Sequence, residues 1–246
     1  MTDLLLNVGN TRVALGNGTP GTPDFQVDYF PTEHFLSQWT PPSRESSAWK
    51  VCGACVVPAI ARTLEARFPG HFHWISPKDF PQLDCSLYPP GRLGADRLAN
   101  LAAAQALAPC QAVMVVDCGT ALNSVCLSPQ GKFLGGVILP GRETALASLG
   151  RNTAQLPEFA VSAAHDFNPL GTDSEAAIRN GVDLGILGAV EKVIRATRKQ
   201  EAMAQCRVWF TGGDAPFFVE YLPRELQAEL APLPLTLYGI SLAKKS

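Results

Sequence analysis

The chain has 246 residues, 46% of them hydrophobic and 17% charged, with a formal net charge of −2. That length suits one large domain or two small ones and can bury a core without disulfide or metal staples; the composition excludes an intrinsically disordered chain and lacks the basic excess of a dedicated nucleic-acid binder. No window approaches the ~18 uninterrupted apolar residues of a membrane span, Met1 to Asn10 lack the pattern of a signal peptide, and an odd set of seven cysteines, several in apolar runs, suits the reduced thiols of a cytoplasmic protein.

Taken in chain order, Leu4 to Val8 reads as a buried strand, Gly9-Asn10-Thr11 as a turn, and Val13 to Leu15 as a second strand. Phe25 to Phe30 is a third strand. Glu33 to Trp39 suits a short helix ended by Pro41-Pro42-Ser43. Val51 to Val57 is a buried strand, and Pro58 opens a helix to about Phe68. Phe72 to Ile75 is a strand, and the Ala/Leu-rich run Ala95 to Ala108 is a helix stopped by Pro109.

The pattern then restarts. Val113 to Asp117 is a buried strand, Cys118-Gly119-Thr120 a turn, Ala121 to Leu127 a second strand and Lys132 to Leu139 a third. Pro140-Gly141 breaks it, and a helix follows to about Leu149. Residues 152–169 read as loop, and Ser174 to about Lys199 is the longest helix. Arg207 to Thr211 is a strand, Gly212-Gly213 a turn, Asp214 to Leu222 a helix, and Leu235 to Tyr238 a last strand.

Both halves share one order: three strands, helix, strand, helix. Leu4 to Asn10 aligns on Met114 to Thr120 at an offset of 110 residues, each with a small polar turn directly after a buried strand. The expectation is two lobes, 1–109 and 110–246, aiming two turns at one central cleft, where backbone N–H groups cradle phosphates.

Each motif has a plain alternative. Taken alone, the Gly9-Asn10 turn is an ordinary hairpin turn. An Asp such as Asp117 at the end of a buried strand is costly without a partner. Asp96 is either a first-turn acid suited to the helix dipole or a general base beside an anion-binding Arg97, whose planar fork suits a carboxylate. Gly135 to Gly141 and Thr211-Gly212-Gly213-Asp214 place glycines where a ligand or chain can approach closely.

The ordered set resembles the type III pantothenate kinases, within the actin-like, sugar-kinase and Hsp70 ATPase superfamily. The matching pieces are Asn7 to Thr11, Pro90 to Arg97, Asp117 to Ala121, Gly135 to Gly141, Ser174 to Gly181 and Thr211-Gly212-Gly213. The resemblance covers nearly the whole chain, and Leu93-Gly94-Ala95-Asp96-Arg97 is its most family-specific piece. It implies an α/β fold of two tandem ribonuclease-H-like domains and a cytoplasmic homodimer that phosphorylates pantothenate with ATP, opening coenzyme A synthesis. By the same resemblance Asp96 is the general base. Gly94, Ala95, Arg97, Ser174 and Tyr88 hold pantothenate. Asn7, Val8, Gly9, Asn10, Thr11, Arg12, Thr120, Gly212 and Gly213 meet ATP, Asp117 holds potassium or ammonium, and Mg2+ bridges the phosphates. Such a site works by positioning and charge neutralisation.

The chain departs from the family pattern where Asn7 replaces an Asp, Asn123 and Ser174 each replace a Thr, and Tyr88 lies one residue closer to the Asp96 segment. Asn7 keeps open a weakened relative acting as a ligand-binding or regulatory protein, or a kinase for another small hydroxy compound. Gly16 to Gly21 formally matches a dinucleotide fingerprint, but Thr22-Pro23-Asp24 follows instead of a helix. Cys52-Gly53-Ala54-Cys55 has no second pair downstream, and His71 and His73 have no nearby third metal ligand. Neither a Walker loop nor a Gly-x-Ser-x-Gly elbow is present.

Overall fold

A computed structural model describes residues 2–18, 25–42, 49–153, 155–162 and 165–244. Residues 19–24, the end of the fingerprint-like segment with the three residues after it, and Ser43 lie outside them. The chain forms two compact units: 1–111 with 125–135 and 231–246, and 112–124 with 136–230.

In the first unit, β1 (Thr2–Val8), β2 (Arg12–Gly18), β3 (Phe25–Pro31), β4 (Trp49–Cys55) and β5 (Phe72–Trp74) form one sheet in the order β3-β2-β1-β4-β5. β1 is its central strand, antiparallel to β2 and parallel to β4. A central strand is covered on both faces, which is why Leu4 to Leu6 is apolar without alternation. Successive side chains still point to opposite faces. Leu4, Leu6 and Val8 join a core cluster with Phe35 of α1 (Thr32–Gln38) and with Ile60 and Leu64 of α2 (Pro58–Arg67). Leu5 joins the opposite cluster with Leu98, Ala99 and Ala102 of α3 (Ala95–Leu107) and with Leu237 and Ile240 of α7 (Leu235–Ser241).

α7 corrects the strand expected at Leu235 to Tyr238. Leu-Thr-Leu-Tyr has strand-like local preference, but tertiary packing overrides it. A Cβ on Gly239 would stand 1.9 Å from the Ala99 carbonyl oxygen, so the α7 backbone lies directly on α3. Thr236 Oγ1 donates to Asn100 Oδ1 at 2.8 Å in the same buried seam. Pro234, just ahead of the first turn, suits a helix start.

In the second unit β6 (Val113–Cys118) is buried along almost its whole length. It pairs in parallel with β10 (Arg207–Thr211), which pairs in parallel with β11 (Ala228–Leu230), a short strand the sequence pattern does not reveal. On the other side of β6 lies β7 (Ala121–Leu127), of which residues 121–124 belong to this unit. α4 (Arg142–Asn152), α5 (Ser174–Thr197) and α6 (Ala215–Tyr221) complete the unit.

The third strand expected over Lys132 to Leu139 is two pieces, β8 (Phe133–Gly135) and β9 (Ile138–Pro140). Gly135 takes φ +111°, open to glycine and strained for other residues. A Cβ on Gly136 would stand 1.9 Å from the Ser124 carbonyl oxygen, and Ser124 Oγ accepts the Val137 N–H instead. Among the described residues, no helix is long and apolar enough to cross a membrane.

Candidate active site

Two groups of expected site residues occupy the first unit. The first is the turn after β1. Gly9 N–H donates to the Arg12 carbonyl at 3.1 Å, and Thr32 Oγ1 donates to the Gly9 carbonyl at 2.8 Å. A Cβ on Gly9 would lie 2.9 Å from the Arg12 carbonyl oxygen, which makes glycine the residue of this turn. Asn7 is half-buried and pairs in register with Ala14 and Ala54; Val8 is buried; Asn10, Thr11 and Arg12 are exposed. The Arg12 guanidinium lies 4.6 Å from the Tyr29 ring centroid.

The second group stands at the start of α3. Gly94 is its N-cap residue, and Asp96 Oδ1 accepts the Arg97 N–H at 2.8 Å. A Cβ on Gly94 would lie 2.6 Å from that same oxygen, so the glycine leaves the carboxylate its place. Arg97 is 6% exposed, a rare condition for an arginine. Its guanidinium sits 5.4 Å from the Tyr88 ring centroid and 5.7 Å from that of Phe133, and Nη1 donates to Tyr88 Oη at 3.2 Å. Among the described residues, Arg97 Nε has no hydrogen-bond partner. The structure therefore brings Tyr88, Gly94, Ala95, Asp96 and Arg97 together. It adds Phe133, which sequence reading passed over as a strand residue. Phe133 is set by a short bridge, its N–H donating to the Asp84 carbonyl at 2.9 Å.

The second unit gathers the remaining turns. Asp117, half-buried, is the last but one residue of β6 and pairs in register with Thr211 of β10. Gly212 takes φ +93°, and a Cβ there would lie 2.5 Å from the Cys118 carbonyl oxygen and 2.8 Å from Asp117 Oδ1. Asp214 N–H donates to that Cys118 carbonyl at 3.1 Å. The Thr120 carbonyl accepts from Gly141 N–H at 2.9 Å and from Thr144 Oγ1 at 2.7 Å. Asp117, Thr120, Gly141 and Gly212 to Asp214 thus form one glycine-rich cluster. Burial pushes the Cys118 thiol well above its ordinary range, and the Asp117 and Asp214 carboxylates add to the rise.

Ser174 is exposed at the first turn of α5, where the Asp173 side chain caps the helix by accepting the Ala176 N–H at 2.8 Å. Beside it is a cavity of about 310 Å3 lined by Arg142, Asp173, Glu175, Arg179, Asn180 and Asp183 among others. Sequence reading missed Arg142, Asp183 and His165. The available signal was Asp183, a charge on the same buried stripe of α5 as Ile186, Val190 and Ile194. A charged residue on such a stripe calls for a partner.

Comparison with known proteins gives these turns a family. The type III pantothenate kinase family matches residues 3–196. A type III pantothenate kinase from Synechococcus elongatus is 38% identical over 166 residues, 66% of this chain and 62% of that protein. One from Dehalococcoides mccartyi is 37% identical over 132 residues, 53% of this chain and 48% of that one. The matches thus span about half to three-fifths of these relatives' length. Among solved structures, a Campylobacter jejuni protein described as a Baf family transcriptional activator superposes with a TM-score of 0.63 at 20% identity, covering 96% of this chain and 94% of that one. The activator of the 2-hydroxyisocaproyl-CoA dehydratase from Clostridium difficile superposes with a TM-score of 0.56 at 12% identity, covering 99% and 93%. MreB 5 of Spiroplasma citri does so at 0.51 and 11%, covering 98% and 94%. These likenesses show the α/β fold of actin-like ATPases. With the family match over most of its length, the chain belongs to the type III pantothenate kinase family.

Proposed function

We propose that this protein transfers the γ-phosphoryl group of ATP to the primary hydroxyl of pantothenate, the first step of coenzyme A synthesis, as a cytoplasmic homodimer. One observation carries the reading: Arg97 is buried against the neighbouring rings of Tyr88 and Phe133, its Nε without a partner among the described residues, directly beside Asp96. A buried guanidinium with a spare donor suits the carboxylate of pantothenate, and a neighbouring carboxylate suits a proton acceptor. Tyr88, Gly94 and Ala95 complete this first-unit group in the same reading, and the family resemblance alone assigns Ser174 a contact with pantothenate. Asp96 takes the hydroxyl proton, the freed oxygen attacks the γ-phosphorus, and the bond to the bridging β–γ oxygen breaks as ADP leaves.

By the family resemblance Asn7 to Arg12 contact ATP in this reading, and so do Thr120, Gly212 and Gly213, where the two glycines keep side chains clear of the backbone. The donor chemistry around Asp117 fits a hard cation: a carboxylate with the Cys118 backbone carbonyl close by, both crowding the Gly212 position. Asp117 would hold potassium or ammonium, and Mg2+ would accompany ATP; such cations neutralise phosphate charge. Seven free thiols support a reducing compartment. The homodimer rests on the family resemblance, and sedimentation of the purified chain tests it.

The test of activity is ADP release coupled to a reporter, with pantothenate, Mg2+ and K+. Turnover dependent on pantothenate is expected. None above the background at millimolar ATP would overturn the reading. Asn7 favours a second one, a weakened relative that binds ligand without efficient turnover, because an amide near the end of β1 lacks the negative charge with which a carboxylate helps hold the Mg2+ of the phosphates. Binding of pantothenate and ATP without turnover would establish that alternative.

A further inference from the structure

Arg142, the first residue of α4, is 4% exposed and bridges two carboxylates within the second unit. Its Nε and Nη2 donate to Asp183 Oδ1 and Oδ2 at 2.8 and 3.1 Å. Its Nη1 stands 3.5 Å from Asp214 Oδ1, and its guanidinium carbon lies 3.8 Å from the Phe217 ring centroid. Asp183 is held in turn by His165 Nδ1 at 2.8 Å, so Nδ1 carries the proton. His165 is fixed by Phe167, Phe217 and Tyr221, with ring centroids 5.4, 4.9 and 5.3 Å away.

The long, rigid α5 therefore anchors one edge of a planar cation whose other edge faces the residue after Gly212-Gly213. Two adjacent glycines leave that turn little side-chain packing of its own. Beside the Ala215 N–H on the Gly212 carbonyl, its hold comes from Asp214: the backbone N–H on the Cys118 carbonyl and the carboxylate on Arg142. A guanidinium can grip two carboxylates from different directions, whereas an ammonium is a single point charge.

We propose that Arg142 is a positioning residue that fixes the Gly212–Asp214 turn to α5, so that nucleotide affinity depends on a side chain acting through Asp214. This rests on the reading that the Gly212-Gly213 turn meets ATP. The test is equilibrium binding of a fluorescent ADP analogue with Mg2+ to the full chain, without acceptor, alongside thermal melting and steady-state kinetics. Arg142→Met is expected to weaken the analogue roughly tenfold or more and to raise KM for ATP while leaving KM for pantothenate unchanged. Arg142→Lys is expected to fall between Arg142→Met and the wild type. Val190→Ala, a cavity elsewhere on α5, is expected to lower the melting temperature and keep affinity within about twofold. Asp214→Asn decides the matter if Arg142→Met does not fold, with the same loss of affinity expected.

Affinity within about twofold of wild type in these bridge variants, or an equal loss in Val190→Ala, would overturn the proposal. A wild-type chain that binds no nucleotide overturns both it and the functional reading. One that binds nucleotide but does not phosphorylate pantothenate overturns the functional reading alone and leaves the role of Arg142 to the variants.

Discussion

Replacing Gly212 by alanine strikes the second-unit cluster where it is tightest. At φ +93° an L-residue is strained, which costs about 1–2 kcal/mol. The new Cβ would stand 2.5 Å from the Cys118 carbonyl oxygen and 2.8 Å from Asp117 Oδ1, where ordinary contact begins at 3.4 Å. That carbonyl already accepts the Asp214 N–H and belongs to the Asp117 turn, so the backbone itself must move. Forced repacking of this kind adds about 1–3 kcal/mol. The expected total is about 2–5 kcal/mol, or a melting point lower by about 4–20 °C at ~2–4 °C per kcal/mol. Because Asp117 and Gly212 move together, affinity for nucleotide falls as well. Gly188→Ala is the matched control: its Cβ meets nothing within 4 Å and it lies inside α5, so it stabilises by about 1 kcal/mol. Circular dichroism melts and nucleotide titrations of the two variants check both halves. A Gly212→Ala protein that melts and binds nucleotide like the wild type would refute the steric argument.

Four further outcomes are expected. Asp96→Asn cuts turnover by about 10²–10⁴ with an unchanged melt, and retained turnover removes its role as base. Arg97→Lys keeps the charge but loses the planar fork, so KM for pantothenate rises about tenfold to a hundredfold; an unchanged KM counts against carboxylate recognition. Asn7→Asp restores an acid at the end of β1 and raises turnover roughly tenfold or more if the amide limits a working kinase, whereas no gain means that the amide does not limit it. Burial raises the thiols of Cys55, Cys85, Cys118 and Cys206 above their ordinary 9.0. Unfolded thiols then ionise before folded ones, so their stabilisation is full below pH 9.0 and is lost as pH rises above it. The melting midpoint should fall between pH 8 and pH 10.5, less steeply in Cys118→Ser, and an equal slope in both proteins contradicts the assignment.

Much of the architecture was legible because local pattern and tertiary role agree. Leu4 to Leu6 is apolar on both faces and lies mid-sheet; Ala95 to Ala108 is helical by propensity and packs by its small residues. Asp96 and Arg97 were legible as a motif, and adjacency at one helix start keeps them together. What escaped depends on distant partners. Leu235 to Tyr238 is a helix only because α3 offers Gly239 a close seat. The strand from Lys132 splits where Gly136 meets the Ser124 backbone. Phe133 reaches Arg97 through the Asp84 bridge, and Arg142 acquires meaning from Asp183, 41 positions along the chain, and Asp214. Periodicity carries no information about such pairings.

The seat of α7 on α3 also sets a timetable for biosynthesis. Leu237 and Ile240 cover the sheet face that holds Leu5 and Cys52, yet they are made after the whole stretch 112–230. At ~5–20 residues per second that stretch takes roughly 6–24 s to synthesise. Throughout that interval α3 alone covers this face of the nascent first unit, and the apolar patch that Leu237 and Ile240 will fill stays open, the kind of surface chaperones bind. Deleting residues 231–246 would make that exposure permanent, leaving a chain with a half-covered apolar face rather than a trimmed tail.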